Sequence, residues 1–167
     1  YSRKLDAQVL GVVAGIASSA MKFSGDLRVL QSVGEIEEPF ESEQIGSSAM
    51  AYKRNPMRCE RIASLARFVL SLEPNANLTH GVQFFERTLD DSANRRLVIP
   101  ESFLATDAIL LLMNNVVSGL EVHPARIKRR LEDVWYLLFE GRLPTQEERA
   151  AFLDEIAPLR QVPDSIV

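Results

Sequence analysis

The sequence has one cysteine, Cys59, and two histidines, His80 and His123, in 167 residues. A single thiol excludes an internal disulfide and a cysteine metal cluster. The two histidines stand far apart along the chain, which argues against a histidine metal site. Long apolar runs are missing as well. The longest strongly apolar run, ILLLM at 109–113, is well short of the roughly 20 residues a membrane-spanning helix needs. There is no excess of one charge: 19 Lys and Arg against 23 Asp and Glu give a net charge of -4. That balance provides no electrostatic reason for nucleic acid or an acidic membrane surface as partner. Internal repeats and low-complexity tracts are lacking too. With 46% hydrophobic and 25% charged residues, the composition is that of a folded chain rather than a disordered one. The N-terminus, YSRKLD, enters a helical pattern at once, without an initiator Met or a leader segment. The expectation is a soluble, cytoplasmic chain that begins as a fragment would.

What is present is helical periodicity. Leu5, Val9, Val12, Val13, Ile16, Met21, Leu27 and Leu30 fit a long helix over about residues 3–31 and do not fit strand alternation. Gly11, Ala14, Gly15, Ala17 and Ala20 place small residues along it, as close helix packing uses them or as tolerated low-propensity sites. A second helix is expected from Pro56, where the missing N–H is not needed, to Glu73–Asn75. A third is expected from about 81 to 96 and a fourth from Pro100 to about Leu120. The fourth is apolar on most of its faces, so it should be buried on most of them, a condition met in the middle of an oligomer. Beyond residues 123–125 follow an amphipathic helix, a turn at EGRLP, and a capping box, Thr145 with Glu148, that opens a last helix.

Between the first two helices lies GSSAMAYKRNP, residues 46–56, with almost nothing to bury. It offers a glycine, two hydroxyls, an ammonium, a guanidinium and an amide within one short loop. Cations with hydroxyls suit an anionic substrate: the cations hold carboxylate or phosphate while a deprotonated serine moves a proton. A solvated interhelical loop accounts for the same composition, and no histidine stands nearby in sequence to activate a serine. On the residues alone both readings stay open.

Longer stretches add to this. GSSAMAYKRNPMRCE resembles the mobile-loop motif of the fumarase/aspartase superfamily, in the form found in adenylosuccinate lyases, with Ala51 where that family has Pro. YSRKLD, EEPFESEQIGSSAM and FERTLDDSANRR resemble further blocks of the same family, in family order, over about residues 1–130. The resemblance implies an all-α fold: a long-helix bundle of the fumarase/aspartase central-domain type, with a mobile serine loop at 43–55. It implies β-elimination releasing fumarate from adenylosuccinate, in purine nucleotide biosynthesis, without metal or other cofactor. Ser47 then matches the general base. Ser48, Lys53 and Asn55 match substrate-binding positions, of which Lys53 and Asn55 hold carboxylates and developing negative charge. Arg61, Arg87, Ser92 and Arg96 match nucleotide-binding positions. A carbanion beside a carboxylate needs such preorganised positive charge and donors. Losing the loop proline removes a restraint on the backbone but no reacting group.

The resemblance also implies an absence. The family's general-acid histidine lies in an N-terminal portion that this sequence does not contain, and neither His80 nor His123 stands in a matching motif. Family active sites form where three subunits of a tetramer meet, so the expected partner is a second copy, in a dimer or tetramer, with a nucleotide substrate if active. The last segment, DVWYLLFEGRLPTQEERAAFLDEIAPLRQVPDSIV, resembles an N-terminal scaffold region of citrate synthase. This divides the chain into 1–130, a lyase-like bundle segment, and 131–167, a helix-turn-helix extension. Two functions follow: an incomplete lyase, weakly active or inactive alone, or a self-associating, non-catalytic helical chimera.

Overall fold

The fold was obtained as a computed structural model that describes residues 1–40 and 54–160. It divides into two compact units, Tyr1–Val122 and His123–Val167.

The first unit is built on three long helices. Helix α1 spans Lys4–Ser32, α2 Met57–Gly81 and α3 Leu89–Ser118. In α1 the buried residues Ala7, Leu10, Val13, Ala17, Ala20, Ser24 and Leu27 recur at intervals of three and four, the period of one helical face. Val13, Ala17, Ala20 and Leu27 meet Cys59, Ile62, Ala66 and Val69 of α2 and Ala105, Ile109 and Val116 of α3 in one core, and Ala7 and Leu10 meet Ala76 of α2 and Val98 of α3 in a second. Ala17 and Ala20 are fully buried, so alanines let these helices approach closely. The glycines do not serve that purpose: a Cβ on Gly11 or Gly15 would meet nothing within 4 Å among the described residues.

Chain direction follows from the ends. The start of α1 bonds to residues just after α2, and its last turn bonds to residues just before α2. So α2 runs antiparallel to α1, and α3 returns beside them. At α1's end Gly34 takes a left-handed φ of 69°, which lets the amides of Gly34 and Glu35 bond back to Gln31 and Leu30. A two-residue strand β1, Ile36–Glu37, then pairs antiparallel with β2, Glu121–Val122, which follows α3. Gly119 faces Pro39 so closely that a Cβ there would stand 2.6 Å from the proline ring.

Two helix boundaries differ from those expected of the sequence. Helix α2 does not stop at 73–75 but passes through Pro74 to Gly81, and α3 runs unbroken through Pro100 instead of forming separate helices at 81–96 and 100–120. Proline removes one intrahelical bond in each case. Both prolines are exposed, so the carbonyl each leaves without its usual amide is not shut into the core. Neighbouring side chains also brace the backbone: Asn75 donates to the Leu72 carbonyl at 3.1 Å, and Ser102 to that of Val98 at 2.7 Å. Residues 82–88, expected to be helical, form the irregular α2–α3 connection.

By length and composition α1 and α3 could each cross a membrane, a property that a search for unbroken apolar runs misses. Helix α3 leaves much of its apolar surface exposed. Leu97, Leu104 and Leu111 form one exposed row and Phe103, Leu110 and Val117 another, each with a seven-residue repeat. On α1, exposed Leu5, Val9, Val12 and Ile16 alternate at spacings of four and three.

The second unit pairs α4, Pro124–Glu140, with α5, Gln146–Ile156. Gly141 ends α4 in a left-handed conformation. The expected capping box is formed: Thr145 accepts from the Glu148 amide, and Glu148 accepts from that of Thr145. Tyr136 meets Phe152 edge to face, and Arg149 makes a two-pronged pair with Asp133.

Candidate functional site

Ser47, Ser48 and Lys53, and with them most of the serine loop, lie outside the described residues. The two flanks of that stretch are described, and they are tied together. Pro56 gives α2 no side-chain cap. Glu38, buried in the other flank, supplies one: its carboxylate accepts the backbone N–H groups of Arg58 and Cys59, each at 3.0 Å. A carboxylate there satisfies open amides and complements the helix dipole. The Glu38 amide donates to Gln31 Oε1 at 3.2 Å, and Gln31 Nε2 donates to the Arg54 carbonyl at 3.3 Å. Arg54 pairs with Glu37 at 3.3 Å and Glu121 at 3.5 Å and lies over the Phe40 ring. Arg58 donates to the Pro39 carbonyl. Burial beside this cap, with the Glu38 charge next in weight, pushes the Cys59 thiol up to about 12.

Asn55 opens into a cleft of about 500 Å³ next to this base. The cleft is lined by Gly25, Arg28 and Ser32 from α1, and by Arg54, Asn55 and Glu60 around the start of α2. Arg28 and Glu60 were not singled out from the sequence. They come together because residues 25, 28, 29 and 32 share a helical face that turns toward the start of α2. Arg61 lies on α2 one turn further on, exposed.

Arg87 and Ser92 belong to the opposite end. Arg87, exposed, donates to the Tyr1 carbonyl at 3.0 Å and stands over the Tyr1 ring. Arg3 and Arg95 stand over the same ring. Below them Arg3 and Asp91 form a buried ion pair at 2.8 Å, and Arg95 reaches Asp6 at 2.5 Å. The hydrogen bond to Asp91 raises the Arg3 guanidinium above its ordinary pKa. Ser92 is half-buried and Arg96 exposed, both in the opening turns of α3. His80 shares a second cleft, of about 570 Å³, with Tyr1, Gln83, Phe84, Phe85 and Arg87.

The candidate residues thus form two groups. Asn55 precedes α2 and Arg87 follows it, and 25 helical residues span about 37 Å. One copy does not bring the groups together.

Comparison with known proteins shows what the chain is similar to. Residues 3–70 match the family model described as Lyase. Two solved enzymes share the fold across 93% of this chain: a 3-carboxy-cis,cis-muconate lactonizing enzyme from Pseudomonas putida (TM-score 0.66, 22% identity, 37% of that chain) and a class II fumarase from Schistosoma mansoni (TM-score 0.67, 17% identity, 33% of that chain). More specific likeness comes from curated relatives. Adenylosuccinate lyase of Schizosaccharomyces pombe is 54% identical over 131 residues, 78% of this chain and 27% of that protein. Adenylosuccinate lyase of Saccharomyces cerevisiae is 48% identical over 157 residues, 93% of this chain and 33% of that protein. Together these matches support a fragment of the fumarase/aspartase superfamily, with an all-α bundle fold. The chain spans about a third of the length of these relatives or less.

Proposed function

We propose that the chain carries the serine-loop portion of an adenylosuccinate lyase: β-elimination releasing fumarate from adenylosuccinate, in purine nucleotide biosynthesis, in the cytoplasm. Ser47 acts as general base. Ser48, Lys53 and Asn55 bind the substrate's anionic part, and Arg61, Arg87, Ser92 and Arg96 its nucleotide. The observation that carries this reading is the 54% and 48% identity to two adenylosuccinate lyases. Fumarate release that Ser47→Ala abolishes tests it.

The separation of the two residue groups supports a shared site. With Asn55 and Arg87 at opposite ends of α2, a full set of contacts requires a second copy, whose other end supplies what this end lacks. The exposed heptad rows of α3 and the exposed seam of α1 are the surfaces for that association, as a dimer or tetramer. The chain alone then has weak activity or none, since orientation by the missing contacts outweighs any single acid or base.

A second reading has one observation in its favour. The structure divides at Val122 and His123, shortly before the segment that resembles citrate synthase. On that reading the chain is a non-catalytic, self-associating scaffold. Against it stands the alignment with the Saccharomyces cerevisiae enzyme, which at 93% of the chain reaches into the second unit.

A further inference from the structure

We propose that α4 docks on an anionic lipid surface, lying along it with its apolar side in the lipid and its basic first turns at the headgroups. This goes beyond the lyase reading and does not depend on it.

At 3.6 residues per turn, Ile127, Leu131, Val134 and Leu138 fall on one stripe of α4, with Trp135 beside it. All five are exposed. Helix α5 covers the opposite side: Tyr136 meets Phe152, Asp133 is held by Arg149, and Glu132 is buried. So α4 turns its charged side toward its neighbour in the unit and its apolar side outward, the reverse of the usual order for a surface helix. Leu138 and Phe139 are 75% and 77% exposed, and Leu143, past the turn, 66%. The apolar side therefore ends on a projecting ridge and not in a groove.

Charge selects the partner. The balance of -4 over the chain conceals a local excess: Arg126, Lys128, Arg129 and Arg130 lie within five residues at the start of α4, with no acid among them. Arg126 and Lys128 border the stripe on opposite sides, whereas Glu132 and Asp133 fall on the α5 side. A basic helix with Trp and Leu along one face suits the interface of an anionic bilayer. A protein partner has to supply a groove for the ridge, whereas lipid yields to a convex surface.

Trp135 is the only tryptophan, so its emission reports this face alone. The test titrates the intact chain with vesicles of phosphatidylcholine, alone or mixed with phosphatidylserine, at low ionic strength. Anionic vesicles should blue-shift the emission and carry the chain down on sedimentation, less so at high salt. An Arg126→Gln, Lys128→Gln double variant should bind them roughly tenfold more weakly or worse, since each base near such a surface counts for a factor of about five. A Leu131→Glu, Leu138→Glu double variant should lose the shift, and a Leu104→Glu, Leu111→Glu variant on α3 should keep it. Circular dichroism checks that each variant is folded. No shift with anionic vesicles, equal binding to neutral ones, or binding indifferent to the four α4 substitutions overturns the proposal. So does an emission already blue-shifted without lipid, which means that protein covers this face.

Discussion

The carboxylate of Glu38 accepts the backbone N–H of Cys59 at 3.0 Å, across 21 residues of chain that include the serine loop. Its other oxygen accepts the N–H of Arg58, so one side chain serves as the cap of α2 and as the tie between the loop's two flanks. Glu38→Ala leaves two amides at the buried start of a helix without their acceptor. A loss of about 2–4 kcal/mol in chemical denaturation is expected, at about 1–2 kcal/mol for each amide stranded. Glu38→Gln keeps one acceptor oxygen and should lose about half as much. An unchanged midpoint for Glu38→Ala contradicts the assignment.

At the other end, Arg3 and Asp91 join the first turns of α1 and α3 through a pair whose side chains are only 5% and 8% exposed. Removing Asp91 leaves the buried Arg3 charge with only a longer, 4.0 Å pair to Asp6. Asp91→Ala should cost about 3–5 kcal/mol, whereas replacing both residues with apolar ones of similar size should cost far less. Equal losses for single and double variants would mean that the pair is not an electrostatic unit.

Cys59 is fully buried, and its folded-state pKa is raised to about 12 by desolvation and by the Glu38 charge. A thiol with a raised folded pKa contributes stability that is fully present below its unfolded value, about 8.5, and is lost as pH rises through the folded one. The native chain should resist thiol reagents at neutral pH and react stoichiometrically when unfolded, and its stability should decline above about pH 9. Rapid labelling of the native chain would show that α2 does not begin as described.

The apolar rows on α3 predict self-association. Sedimentation should give a dimer or tetramer for the parent. A Leu104→Glu, Leu111→Glu double variant should be monomeric with its helix content intact, because both leucines are exposed within the chain. A parent that sediments as a monomer at micromolar concentration contradicts the shared-site account.

The sequence made the helices legible wherever apolar residues keep a helical period. Helix α1 as an element and the Thr145 capping box follow from spacing, but the buried face of α1 does not: of the apolar residues that carry its period, Leu5, Val9, Val12 and Ile16 are exposed, while Ala7, Leu10, Ala17 and Ala20 are buried. The sequence misplaced the breaks at Pro74 and Pro100, because a proline on an exposed helix face costs one hydrogen bond and tertiary packing outweighs it. For the candidate site the sequence offers a list of residues and not an arrangement. No local pattern places Arg28 beside Asn55, or shows that α2 holds Asn55 and Arg87 apart; both depend on how α1 and α2 lie together. Glu38 was invisible for the same reason, since an acid in EIEEPFESEQ reads as solvated charge until the start of α2 is brought against it.

The most direct measurement is fumarate release from adenylosuccinate by the purified chain, beside its Ser47→Ala variant prepared identically. The pairing matters because a host lyase would contaminate both samples alike. The account predicts weak turnover in the parent that rises with protein concentration as copies associate, and none in the variant. Equal turnover in the two, or none from an assembled parent, contradicts it.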